Sequence, residues 1–114
     1  MIRFTHLIHG EGPVSGPAAK HSHLAFEEGR RGPVVFWNIT SRCNLACTHC
    51  YLRSGPRRRR EDELTTGEAK SLIDDLAAAN VPLLLFSGGE PLMREDFWSL
   101  AAHAQERDIP AVLS

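Results

Sequence analysis

The sequence predicts an α/β domain built from parallel βαβ units, and three observations support this prediction. Two nearly continuous apolar runs, residues 33–40 and 81–86, have the length and composition of strands buried in a parallel sheet. One amphipathic helix pattern separates these runs, and a second follows them. A cysteine motif follows the first run and a glycine motif the second, at the strand ends where α/β folds bind ligands.

The composition is that of an ordinary globular protein of one small domain. The 114 residues are 42% hydrophobic and 24% charged, with a net charge of -1 that gives no basic field for nucleic acid. No apolar run approaches the roughly 20 residues of a membrane helix, and the N-terminus lacks the features of a secretory signal. The cysteines, odd in number and clustered, favour a reducing compartment. We therefore expect a cytoplasmic protein without nucleic-acid or membrane partners.

The N-terminal part of the chain differs in character from the rest. Apolar residues at positions 2, 4 and 8 alternate weakly with polar ones, which is compatible with a short strand or an N-terminal lid. Residues 10–32 are rich in glycine, proline and charge, as connections are. We expect residues 1–32 to form an N-terminal extension and linker, and residues 33–114 the core domain.

All cysteines of the chain lie in one short loop after the first predicted core strand. Cys43, Cys47 and Cys50 have the spacing Cys-x-x-x-Cys-x-x-Cys. Four cysteines would close a cubane iron–sulfur cluster or a structural zinc site, whereas three leave one metal position open for another ligand. Two alternatives remain: incidental buried thiols, or a zinc site with His49 as fourth ligand. Steric crowding disfavours His49, which lies between two of the cysteines.

A short charge run follows the cysteine loop. Residues 57–60 are four arginines, and residues 61–63 are acidic. Such a run is typical of a solvated loop whose two signs compensate. A second hypothesis is that the arginines bind a carboxylate-rich substrate, because Arg forms bidentate pairs with carboxylates.

The first helix has clear start and stop signals. Thr65 and Glu68 have the spacing of a capping box, and Asn80 can end the helix in a left-handed conformation. Between them the apolar stripe consists of Ala69, Leu72, Ile73 and Leu76.

The second predicted strand, residues 81–86, leads to a second helix over about residues 95–107. Its inner stripe is predicted to be Phe97, Leu100, Ala101 and Ala104. Trp98 and His103 lie off that stripe, and His103 is expected to be a surface residue rather than a ligand. A third strand begins within residues 109–114, so we expect an uncovered strand edge, an uncovered sheet face and no complete barrel.

A glycine motif follows the second core strand. Gly88 and Gly89 allow close approach of the backbone to a ligand, and Glu90 places a carboxylate at the same rim as the cysteine loop. A carboxylate there can accept from a ligand ammonium group. The alternative is a tight turn whose Glu caps the next helix.

The cysteine spacing, followed one βα unit later by Gly-Gly-Glu-Pro, resembles the radical S-adenosylmethionine (SAM) superfamily. The resemblance implies the N-terminal βα units of a partial TIM-type barrel, truncated after the start of the third strand. It implies that Cys43, Cys47 and Cys50 hold three irons of a [4Fe-4S] cluster, whose fourth iron is chelated by SAM. Members of the family bind SAM through the positions of Gly88, Gly89 and Glu90, with Glu90 on the amino group. His49 stands where an aromatic residue usually lies near the adenine.

The resemblance also implies reductive cleavage of SAM to a 5'-deoxyadenosyl radical, with an external electron donor and no catalytic residues beyond the cofactor ligands. Residues 22–24, 33–40, 50–51, 63–66 and 85–92 look like the tetrapyrrole-modifying branch, which alters propionate and acetate side chains in haem and haem d1 biosynthesis. Peptide maturases with auxiliary clusters share nearly all these motifs. The 114-residue chain alone is expected not to be competent for catalysis, and a non-catalytic remnant or a zinc-binding interaction module remain alternatives.

Overall fold

The computed structural model describes residues 2–3, 32–58 and 61–114, and within them the predicted α/β class is confirmed. A four-stranded sheet has the order β1-β4-β3-β2, in which β2, β3 and β4 are parallel and β1 is antiparallel to β4. The strands are β1 (Ile2–Arg3), β2 (Val35–Thr40), β3 (Leu84–Gly88) and β4 (Ala111–Leu113). The helices are α1 (Thr66–Ala78), α2 (Phe97–Glu106) and a short 3-10 helix (Pro91–Met93). Among the described residues, no helix is long and apolar enough to span a membrane.

The core lies between one face of the sheet and both helices. Phe86 of β3 packs edge-on against Phe97 of α2, with ring centroids 5.6 Å apart. The predicted stripe of α2 is buried in full. In α1 only Ala69 and Ile73 are fully buried, and the other two stripe residues are half-buried. Both helices therefore cover the same sheet face, as two consecutive parallel crossovers require.

The predicted start and stop signals of α1 are confirmed. The Thr65 hydroxyl accepts from the Glu68 N–H, and the Glu68 side chain accepts from the Thr65 N–H at 2.8 Å. Asn80 has φ of 53°, the left-handed conformation expected after the helix end. Helix α2 begins at Phe97, later than the predicted residue 95, because the preceding residues form the 3-10 helix and its exit.

The prediction that the first core strand is buried on both faces is wrong. Phe36 is 69% exposed and Asn38 is also exposed, so β2 alternates between its two faces. The reason is position, since β2 lies at the edge of the described sheet. Strand β3 lies between two neighbours, and Leu84, Leu85 and Phe86 are all buried there, as predicted.

The expected open edge beside the third parallel strand is covered in part. Ile2 pairs with Leu113, and Arg3 with Val112, so the weak N-terminal strand signal is confirmed for these two residues. Residues 4–8 and the linker residues up to 31 lie outside the described residues. On the sheet face opposite the helices, Leu85 and Val112 are buried in a second hydrophobic cluster.

His103 is less exposed than the expectation of a surface residue implies. Its side chain is 14% exposed, and Nε2 lies 2.7 Å from Asp74 Oδ1 of α1. Arg107 Nε lies 2.7 Å from the same oxygen. The hydrogen bond from His103, with help from the Arg107 charge, lowers the pKa of Asp74. His103 thus joins the two helices, a contact that the apolar pattern of α2 alone cannot indicate.

Candidate cofactor site at the carboxyl ends of the strands

The cysteine loop and the glycine motif are neighbours because β2 and β3 are parallel. Thr40, the last residue of β2, pairs with Gly88, the last residue of β3. The Gly89 N–H donates to the Thr40 carbonyl, and the Glu90 N–H donates to the Arg42 carbonyl, each at 2.8 Å. Arg42 immediately precedes the first cysteine, so backbone hydrogen bonds join the two motifs directly.

The two glycines are required by this backbone contact itself. Gly88 has φ of +129°, and a Cβ there would lie 2.5 Å from the Thr40 carbonyl oxygen. A Cβ on Gly89 would lie 2.1 Å from the Arg42 carbonyl oxygen. Any larger residue would therefore push the two strand ends apart.

Glu90 caps the 3-10 helix in this structure. Its Oε1 accepts from the Leu92 N–H at 3.0 Å, which is the helix-capping alternative considered for this residue. A carboxylate has two oxygens that can accept several hydrogen bonds in total. The cap therefore fixes the orientation of the side chain and is compatible with accepting a further hydrogen bond from a ligand.

The three cysteines differ in exposure along their loop. Cys43 and Cys50 are half-buried, and Cys47 is exposed. The Cys50 N–H donates to the Cys47 carbonyl at 3.2 Å, and the Leu45 N–H donates to Cys43 Sγ at 3.4 Å. The loop thus forms turns in which backbone N–H groups already point at sulfur.

Cys50 has the environment of a stabilised thiolate. The Ser54 N–H donates to its Sγ at 3.4 Å, and this bond is the main cause of a lowered pKa of the Cys50 thiol. Leu52 and Arg53 N–H groups and the Ser54 hydroxyl contribute in the same direction, while desolvation opposes them. Because the thiolate is the form that binds metal, this environment favours ligation.

Among the described residues, no group of three or more His, Cys, Asp or Glu side chains forms an arrangement that could hold a metal ion. His49, the candidate fourth zinc ligand, is exposed. A cubane cluster places each thiolate on a different iron, so its ligands need not meet around one ion.

Polar side chains near the end of β2 are held both by other side chains and by the loop backbone. The Tyr51 hydroxyl donates to Asn38 Oδ1 at 3.1 Å, which links the residue after the last cysteine to the exposed face of β2. The Thr40 hydroxyl bonds Glu63 and accepts from the Arg42 N–H at 3.1 Å.

Glu63 fixes the point at which the cysteine loop leaves the sheet. Its Oε1 accepts from the Ser41 N–H at 2.7 Å and from the Ser41 hydroxyl at 2.8 Å. Ser41 and Thr40 are both buried. The sequence offered only a weak signal for this role, because Glu63 stands at the end of a charge run expected to be solvated.

Arg94 is a second organising residue that sequence reasoning missed. Its side chain is 9% exposed, and its guanidinium donates to the carbonyls of Ile39 and Leu64, each at 2.8 Å. It also pairs with Asp96 through Nε at 2.6 Å, and this pairing is the main cause of a lowered pKa of Asp96. Asp96 in turn accepts from the Thr66 hydroxyl at 2.6 Å. One buried guanidinium therefore joins β2, the start of α1 and the segment that follows Glu90.

Comparison with known protein families gives one match that covers most of the chain. The model of the Radical SAM superfamily matches residues 37–114, which include all three cysteines and the glycine motif. No solved structure matches the chain.

Several curated proteins are similar to this chain. An Fe-coproporphyrin III synthase of Methanosarcina barkeri is 52% identical over 93 residues, which cover 82% of this chain and 23% of the relative. A pre-heme d1 synthase of Dinoroseobacter shibae is 46% identical over 77 residues, covering 68% of this chain and 19% of the relative. A mycofactocin maturase of Mycolicibacterium smegmatis is 44% identical over 85 residues, which cover 74% of this chain and 21% of the relative. The chain thus spans about a fifth of the length of the curated relatives it matches.

Proposed function

Since the chain belongs to the radical SAM superfamily, we propose that it supplies the cofactor-binding part of an enzyme that generates a 5'-deoxyadenosyl radical and modifies the side chains of a tetrapyrrole. Cys43, Cys47 and Cys50 hold a [4Fe-4S] cluster in this proposal, and Glu90 binds the amino group of SAM. An external donor supplies the electron.

The observation that carries the proposal is the direct hydrogen bonding between the two motifs. One ligand must reach both the open iron of a cluster and the Glu90 carboxylate. The two backbone bonds, from Gly89 to Thr40 and from Glu90 to Arg42, keep the glycine motif against the root of the cysteine loop. A single small ligand can contact both motifs only if they are held close together in this way.

The donor set fits the cluster. The sequence has three cysteines and no fourth, all three lie on one exposed loop, and backbone N–H groups stabilise the Cys50 thiolate. Three thiolates satisfy three irons and leave one open for a ligand other than these cysteines.

When bound, the reduced cluster supplies the electron that cleaves SAM. The chain's own residues position the ligands. The Glu90 carboxylate, which caps the 3-10 helix, is oriented by the Leu92 N–H. Gly88 and Gly89 place their backbone close to the cysteine loop. His49, exposed on that loop, is proposed to lie near the adenine through its backbone.

A tetrapyrrole substrate is favoured by the relatives of highest identity among those named above. Two of them, at 52% and 46% identity, carry haem-related names. The second candidate is peptide maturation, which the mycofactocin maturase at 44% identity favours. The difference in identity is small, so the substrate must be decided by experiment.

The test uses the protein expressed from its complete reading frame and reconstituted anaerobically. Cys47→Ala should abolish bound iron and sulfide. Glu90→Ala should keep both but weaken SAM binding by roughly tenfold or more, because a charge-assisted hydrogen bond is lost. Glu95→Ala is the control, since its side chain is 95% exposed and only a 3.9 Å contact joins it to Arg42. Normal SAM affinity in Glu90→Ala would remove the role proposed for this residue.

A further inference from the structure

A cleft beside the cysteine loop brings thiols and guanidinium groups together. It measures about 600 Å³, and its lining includes Cys47 and Cys50 together with Arg53, Arg57 and Arg58. That volume lies within the range of roughly 300–1,000 Å³ usual for ligand sites. The arginines therefore line the same cleft as two proposed cluster ligands.

The backbone fixes the arginine segment to the cysteine loop. Gly55 forms a parallel bridge with Arg42, its N–H donates to the Ser41 carbonyl at 3.3 Å, and its carbonyl accepts from the Cys43 N–H at 3.2 Å. The same carbonyl accepts from the Arg58 N–H at 3.1 Å. The position of the arginines relative to the thiols is thus set by hydrogen bonds at both ends of the turn.

The charge of these arginines is not matched by acids in the described part of the chain. No ion pair joins Arg53, Arg57 or Arg58 to a described Asp or Glu. Glu63 accepts hydrogen bonds from Thr40 and Ser41. Within the described residues these three guanidinium groups are therefore not paired with an acid.

The cleft also contains a buried polar atom without a regular hydrogen bond. The Ser54 hydroxyl oxygen makes no hydrogen bond of ordinary length and angle with a described residue, beyond the weaker contact through which it helps to lower the pKa of the Cys50 thiol. Buried polar atoms in native proteins are nearly always hydrogen-bonded, so an exception needs an explanation. A hydroxyl beside guanidinium groups is a suitable donor to an anionic oxygen.

We infer that this side of the cleft, defined by Arg53, Ser54, Arg57 and Arg58, binds carboxylate groups of the substrate. The inference rests on the proposed function and adds the residues that hold the substrate's carboxylates. Guanidinium groups pair with carboxylates in bidentate geometry. Bound in this way, the substrate is held next to the cluster ligands, where the radical is generated.

The experiment measures binding of coproporphyrin III, a porphyrin with several carboxylate side chains, to the full-length reconstituted protein. The double variant Arg57→Gln, Arg58→Gln should weaken binding roughly tenfold or more, since hydrogen bonds to charged groups are lost. The double lysine variant keeps the charge but loses the bidentate geometry, and should show a smaller loss. Arg107→Gln is the matched control, because Arg107 pairs with Asp74 away from the cleft.

Two further readouts separate this inference from the proposed function. Iron and sulfide content and SAM affinity are measured on the same variants and should not change. Wild-type affinity for the porphyrin in the double glutamine variant, or equal affinity of the wild type for the fully methyl-esterified porphyrin, would overturn the inference. So would a wild-type protein that does not bind coproporphyrin III. If the arginine variants shift the cluster's reduction potential but bind the porphyrin with unchanged affinity, the inference is also overturned, and the arginines instead balance the charge of the cluster.

Discussion

Substitution of Gly89 by alanine tests the contact that joins the two motifs. The new Cβ would lie 2.1 Å from the Arg42 carbonyl oxygen, 2.8 Å from its carbonyl carbon and 3.1 Å from the Ser41 carbonyl carbon. All three are backbone atoms, so no side-chain rotation can relieve the overlap. Restoring ordinary contact at 3.4 Å requires a separation of more than about 1 Å between the strand ends.

Such a movement should weaken both backbone bonds between the motifs. Each is 2.8 Å long, and a lost hydrogen bond costs about 0.5–1.5 kcal/mol. Overpacking adds about 1–3 kcal/mol. We therefore expect Gly89→Ala to lower the free energy of unfolding by about 3 kcal/mol.

Gly67→Ala provides a matched control with the opposite sign. Gly67 lies in the first turn of α1, and nothing would lie within 4 Å of its new Cβ. Alanine in a helix is favoured over glycine by about 0.5–1 kcal/mol, so this variant should be slightly more stable than wild type. Urea denaturation of the full-length protein measures both effects. A Gly89→Ala protein as stable as wild type would show that the strand ends do not meet as described.

Three further predictions concern the network around these motifs. Arg94→Ala should lower the free energy of unfolding by roughly 3 kcal/mol in urea denaturation, because it removes a nearly buried cation and leaves Asp96 without its pairing partner; a loss below about 1 kcal/mol would contradict the network. The pKa of Asp96 is lowered by Arg94, so its contribution to stability is present above the unfolded pKa of about 3.9 and lost as pH falls through the folded value. In thermal melts, the melting temperature should therefore fall less on acidification in Asp96→Asn than in wild type. An equal fall in both proteins would refute the pairing. Thr65→Ala should cost about 1 kcal/mol by loss of the helix cap, whereas Thr65→Ser should be nearly neutral.

The elements of this fold could be predicted from the sequence because their signals are local. The capping box at Thr65 and the left-handed Asn80 depend on neighbouring residues, and the stripe of α2 depends on helical periodicity. The proximity of the two motifs also followed from the sequence, since the ends of parallel strands meet at one edge.

What could not be predicted depends on contacts between distant positions. Arg94 bonds the carbonyl of Ile39, 55 residues away, and Glu63 bonds Ser41, 22 residues away. No periodicity or motif indicates with which distant backbone atom a single charged side chain will form a hydrogen bond. The exposure of Phe36 was missed for a similar reason, because an apolar run does not reveal whether its strand lies at the edge of a sheet.

The most direct test of the central claim is reductive cleavage of SAM by the full-length protein. The protein is reconstituted anaerobically with iron and sulfide, reduced with dithionite and incubated with SAM, and the products are quantified by liquid chromatography. The proposal predicts 5'-deoxyadenosine and methionine from the wild type and neither from Cys47→Ala. A protein that carries its full cluster and binds SAM, yet yields no 5'-deoxyadenosine, would contradict the proposed chemistry. Zinc without sulfide in the anaerobically isolated protein would contradict the cluster itself.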